Sequence, residues 1–218
     1  FFGGGTWHVN NDTGSLVAWL FVGFLDMWLM PLFIVLSGAG SWFALRSRSS
    51  GQYLVERSRR ILLPLYTVGM FLVLPVQYYF ELVSNADYSG TFQKMLPLYF
   101  SGLFHVALDW PGILLPFPFS GHLWFLLFLY LISLTTLPIL VFLRSERGAR
   151  LIDTIALWCS RPGGIVLLLI PILVVRIGLR SFLGGEHSWA DFFEFAVLFV
   201  IGAMLPANAV TASFSWIH

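Results

Sequence analysis

Apolar residues run through this chain in blocks too long for the elements of a water-soluble core, and the charges gather between the blocks. About 20 apolar residues, rising about 1.5 Å each, cross the roughly 30 Å hydrocarbon layer of a bilayer. Five segments reach or approach that length. Residues 15–45 hold one charge, Asp26, residues 61–80 hold none, and residues 121–143 hold none when His122 is neutral. Residues 163–180 are shorter and carry Arg176, and residues 190–206 open with Asp191 and Glu194. The pattern predicts an all-α fold, a polytopic transmembrane helical bundle with about five spanning helices. Pro31, Pro64, Pro75, Pro138 and Pro171 fall inside or at the edges of these segments and predict kinks, because each removes a backbone donor.

The placement of arginine adds an orientation. Residues 46–60 hold five Arg against one Glu, and residues 144–161 hold four Arg against one Glu and one Asp. Short arginine-rich loops stay in the cytoplasm, so both linkers are expected there. An even number of crossings must join them. The apolar residues 95–108, with Pro97, Pro111, Pro116 and Pro118 around them, therefore read as an interfacial or re-entrant segment of a long outer loop. On this topology residues 6–14 and 180–189 face outward, where Arg176 and Arg180 run against the charge rule.

Composition supports the bilayer as solvent: 58% of residues are hydrophobic and 11% charged, with a mean hydropathy of +0.83. A net charge of +1 offers no nucleic-acid partner a basic surface. Cys159 stands alone, which excludes an internal disulfide framework and a CxxC metal site. Ser37 lacks a GxSxG context, no GxxxxGK[ST] loop occurs, and the histidines at 8, 105, 122, 187 and 218 show no HExxH spacing, so no metal site is expected. The chain opens on Phe1 and Phe2 and closes on His218 without a polar tail. The expectation is one transmembrane domain over residues 1–218, truncated at both ends.

Four groups of residues could carry chemistry. Arg57 and Arg60 lie one helical turn apart in YLVERSRRILLP, and two guanidiniums so spaced can clamp phosphates. The same arginines also suit membrane orientation and lipid headgroups, and residue type alone favours that reading. His122, in GHLWFL, could relay a proton from an entering hydroxyl, or belong to an interfacial aromatic belt. Asp26, mid-span, needs a partner or a wet cavity; Arg176 is one candidate partner. Glu186 and His187, with Asp191 and Glu194 beyond, form either an acid–base or cation site or a solvated loop, the latter favoured.

Three segments in order, residues 31–38 (PLFIVLSG), 57–64 (RSRRILLP) and 122–126 (HLWFL), resemble the acyltransferase 3 family of bacterial membrane acyltransferases, which includes glucan succinyltransferases and sugar or peptidoglycan O-acetyltransferases. The resemblance implies an integral enzyme, expected in the bacterial inner membrane. It would move an acetyl or succinyl group from cytoplasmic acyl-CoA, a co-substrate rather than a bound cofactor, to a hydroxyl of a cell-envelope carbohydrate. Arg57 and Arg60 would hold the donor. The family's catalytic histidine sits in a first helix, downstream of an arginine, and is expected upstream of this fragment; His8 does not match it, and His122 and Asp26 are the weaker candidates within the chain. The rival reading is a polysaccharide or lipid exporter, with kinked helices and Asp26 lining a path.

Overall fold

The computed structural model describes residues 15–85, 88–109, 124–182 and 189–214, and no strand occurs among them. The helices are α1 (Leu16–Ser47), α2 (Ser50–Pro64), a π-helical segment (Leu65–Val73), α3 (Leu74–Asn85), α4 (Phe92–Asp109), α5 (Trp124–Thr135), α6 (Leu137–Leu143), α7 (Glu146–Cys159), a 3₁₀ turn (Gly164–Leu168), α8 (Leu169–Arg180) and α9 (Trp189–Phe214).

Among the described residues three stretches are long and apolar enough to cross a membrane: Leu20–Ser47, Ser50–Phe80 and Trp189–Ala207. A fourth is possible if the pair Phe125–Thr135 and Leu137–Leu143, bent by 49°, crosses as one span. The expected count is about five, and three or four stretches qualify among the described residues. The remaining apolar segment, Gly164–Leu179, is a helix too short to span, at roughly 25 Å. Gly163, at φ 77°, closes the turn just before it. A Cβ on Gly164 would also strike the Trp158 carbonyl. Leu20, Phe21, Phe24, Met27 and Trp28 of α1 are all exposed on the isolated chain, which is the surface a lipid-facing helix presents.

The two arginine-rich linkers are helices rather than loops. Ser49 and Gln52 form a reciprocal capping box, Ser49 N–H to Gln52 Oε1 at 3.1 Å and Gln52 N–H to Ser49 Oγ at 3.3 Å, so α2 starts immediately after α1 ends. Ser145 caps α7 in the same manner, accepting from Gly148 N–H at 3.2 Å while its hydroxyl donates to the Phe142 carbonyl at 2.7 Å. Glu146 in the first turn adds a favourable charge at the helix start.

The prolines act unequally. Helix α1 continues through Pro31. Pro64 ends α2 where the π-helical segment begins, and the Leu74 N–H bonds back to the Gly69 carbonyl, five residues earlier. Between α5 and α6 the bend comes from the run LTTLP. Pro138 removes a donor there, while Thr136 and Ser133 turn their hydroxyls back onto the Ile132 and Leu129 carbonyls, both at 2.6 Å.

The chain forms two compact units, residues 1–26 with 57–127 and residues 27–56 with 128–218. In the first, α3 and α4 pack around Leu74, Met95 and Tyr99, with Met70, Tyr78, Tyr79 and Phe92 against them. The apolar run at 95–108 is thus part of a helix, α4, which is not among the stretches that qualify as spans. Tyr99, 1% exposed, donates from its hydroxyl to the Met70 carbonyl at 3.0 Å.

Burial pushes the Tyr99 phenol up from 10.0 to about 12. Its protonated form is therefore favoured in the folded state. That stability is fully present below pH 10 and is lost as the pH rises through about 12. Tyr99→Phe is expected to cost about 1 kcal/mol at neutral pH and to flatten the alkaline decline. Unfolding of the purified protein in detergent, followed from neutral to strongly alkaline pH, measures both.

The second unit is organised on a close crossing of α1 and α9. A Cβ on Gly38 would fall on the Phe199 carbonyl oxygen, and a Cβ on Gly202 would fall on the Val35 carbonyl oxygen. Small residues on both helices bring the two backbones together, which is how helices associate where lipid offers no hydrophobic driving force. Ile34, Leu45, Phe199 and Ala203 are fully buried in this unit.

Candidate functional site

The start of α2 is fixed to α1 by polar contacts. The Tyr53 hydroxyl donates to Ser41 Oγ at 2.9 Å, and Ser41 in turn donates to the Ser37 carbonyl at 2.7 Å. Tyr53 and Ser41 are both buried, so this short relay holds the first turn of α2 against the second half of α1. Arg48 Nη1 lies 2.6 Å from Glu56 Oε2 and closes the turn between the helices.

Arg57 and Arg60 follow on α2, the first half-buried and the second exposed. Three residues of α-helix place them about 60° apart around the axis, one above the other. Neither stands isolated from its surroundings. Pro64 comes one turn later, where the helix widens into the π-helical segment. The arginines are therefore held on a helix, one turn apart as their spacing predicts.

His122 and the GH of GHLWFL lie outside the described residues, as do Glu186 and His187 and the side chain of Asp26. Arg176, considered as a partner for Asp26, is engaged elsewhere: its Nη1 lies 3.1 Å from Glu194 Oε1, joining α8 to α9. The Arg176 side chain is 54% exposed and Glu194 14%. This pair explains how an arginine is tolerated against the charge rule, since its charge is met locally. It also commits a carboxylate that could otherwise have joined an acid–base or cation site. Among the described residues no three His, Cys, Asp or Glu side chains converge.

Sequence reasoning passed over Arg46 and Arg144 except as orientation charges. The structure brings them to one cavity of about 300 Å³, between the last turn of α1 and the turn from α6 to α7. The signal was present: each is the first cation after a long apolar run, so each ends its helix on the same kind of boundary.

Comparison with known families assigns the chain. The sequence profile of a family described as an acyltransferase domain, acyltransferase 3, matches residues 1–217. The chain belongs to the acyltransferase 3 family. Among curated proteins this family member is 30% identical over 146 residues to glucans biosynthesis protein C of Escherichia coli K12, and equally to that protein of strain SMS-3-5. The same identity holds for the protein of the O1:K1 strain. Each alignment covers 64% of this chain and 32% of the relative. No solved structure matches it. The PLFIVLSG helix acquires a physical role in this setting: its closing glycine, Gly38, is the point where α1 meets the backbone of α9.

Proposed function

We propose that this acyltransferase 3 chain forms the membrane core of an enzyme that transfers an acetyl or succinyl group from cytoplasmic acyl-CoA to a hydroxyl of a cell-envelope carbohydrate. The observation that carries the reading is the family match across residues 1–217. The name of the relatives, glucans biosynthesis protein C, supports a carbohydrate acceptor. Helices long enough to cross a bilayer support a reaction with donor and acceptor on different sides.

On this reading Arg57 and Arg60 hold the phosphates of the donor. A guanidinium offers paired N–H donors that match two phosphate oxygens and keeps its charge at every physiological pH. The acceptor hydroxyl loses its proton to a general base, and His122 and Asp26 are the candidates for that role within this chain. The hydroxyl oxygen attacks the thioester carbonyl, the carbon–sulfur bond breaks, and the thiolate of coenzyme A leaves and takes a proton. The protein's share is to hold the two substrates in line, which removes most of the entropy cost of their meeting.

The test is transfer from acyl-CoA labelled in its acyl group to glucan, in membranes carrying the full-length protein. Label in the carbohydrate, dependent on the protein, is the expected result. Glucan that crosses the membrane unlabelled overturns the reading in favour of an exporter.

A further inference from the structure

The cavity between the end of α1 and the α6–α7 turn has the composition of an anion site. Arg46 and Arg144 line it, both exposed, together with Asp153. Trp42, 8% exposed, Ile152 and Ala207 supply a buried apolar wall. Among the described residues neither guanidinium has a hydrogen-bond or ion-pair partner, and neither does the Asp153 carboxylate. Two guanidiniums against one carboxylate leave a surplus positive charge in a space of about 300 Å³, at the small end of the range for ligand pockets. Like charges brought to one cavity repel each other, and an anion between them removes that cost.

The surroundings are built to hold this geometry. Arg144 sits in a turn fixed by both bonds of Ser145. A Cβ on Gly148 would strike the Phe142 carbonyl, so α6 and α7 meet at van der Waals limits beside it. Arg46 lies in the last turn of α1, two turns beyond the Gly38 crossing with α9. Trp42 and Arg46, four residues apart, share one face of α1.

We propose that this cavity binds an anionic phosphate ester, with Arg46 and Arg144 on the phosphate oxygens and Asp153 accepting a hydrogen bond from a hydroxyl or amino group of the same ligand. Two sources supply that chemistry. The nucleotide part of acyl-CoA carries phosphates, a hydroxyl and an amine, and this source rests on the acyl-transfer reading. The headgroup of phosphatidylglycerol carries a phosphate beside hydroxyls, and this source does not.

The experiment uses the full-length protein in phosphatidylcholine nanodiscs, with two arms. Calorimetry measures coenzyme A binding, and the shift of the unfolding midpoint measures the response to added phosphatidylglycerol. Arg46→Ala and Arg144→Ala are each expected to weaken the response about tenfold in one arm, the cost of losing a charge-assisted contact. Arg46→Lys and Arg144→Lys recover part of it, because the charge stays while the paired geometry is lost. The sensitive arm identifies the source. Wild-type binding unchanged by either alanine in both arms overturns the proposal, as does a wild-type protein that responds in neither. Where an alanine variant does not fold, the lysine variant is read against wild type, and equal binding again overturns it. Acyl transfer on the same preparations separates the two readings: transfer with arginine-insensitive binding removes this site alone, and an arginine-sensitive lipid response without transfer removes the acyltransferase alone.

Discussion

Gly38→Leu is expected to be among the most destabilising single changes in this protein, and Gly38→Ala to show the same effect at smaller size. A Cβ at this position lands on the Phe199 carbonyl oxygen, and the atoms behind it are the Phe199 carbonyl carbon and the Ala203 nitrogen. These are backbone atoms of α9 and cannot swing aside as a side-chain end would. The helices must part, and the contacts around buried Ile34, Phe199 and Ala203 loosen with them. Overpacking of this kind costs about 1–3 kcal/mol for small insertions, and a leucine exceeds that. Gly202, which meets the Val35 carbonyl from the other helix, should behave alike.

The sign of the comparison is informative. Glycine in a helix is about 1 kcal/mol worse than alanine when nothing touches it. Gly40 and Gly178 have nothing within 4 Å of a built Cβ. Their alanine variants should therefore be neutral or slightly stabilised, while Gly38→Ala and Gly202→Ala lose stability. Thermal unfolding of the four variants in one detergent checks this. Equal behaviour across the set would remove the crossing as the organising contact of its unit.

Arg57→Ala and Arg60→Ala are expected to raise the KM for acyl-CoA by about tenfold to a hundredfold each, from the loss of charge-assisted contacts to phosphate. The effect belongs mainly in KM, since the phosphates lie far from the reacting carbonyl and bind equally before and during reaction. Arg57→Lys and Arg60→Lys keep the charge and lose the fork, so an intermediate KM is expected. Because ionic contacts weaken with salt, the wild type should lose donor affinity as ionic strength rises, and the alanine variants should lose less. Initial rates against acyl-CoA concentration at two salt levels read both effects. Unchanged donor dependence in the variants would end the role proposed for this pair.

Much of the architecture is legible in the chain without coordinates. A helix satisfies its own backbone, so in lipid an apolar run of sufficient length has almost no alternative to a helix. Residues 15–45 and 190–206 correspond to α1 and α9 for this reason. The helical character of 124–143 was also legible, but its 49° bend was not, because a proline does not say whether neighbouring hydroxyls will satisfy the carbonyls it frees. Nor did Arg-rich composition reveal that residues 46–60 and 144–161 are largely helical. There the decision lay with Ser49 and Ser145, whose caps allow a helix to restart within a few residues.

The candidate chemistry divides along the same line. Arg57 and Arg60 could be paired from spacing, since three residues on a helix make neighbours by geometry alone. No such rule relates Arg46 to Arg144, several helices apart, or Arg176 to Glu194, on successive helices; packing alone brings each pair to one place. By itself, then, the sequence determined a helical membrane protein and, through three short motifs, its family. Those properties follow from local composition and local spacing. Only the tertiary structure decided which charges meet, where α1 and α9 touch, and how many helices are long enough to span, because each depends on where a helix is capped, bent or crossed.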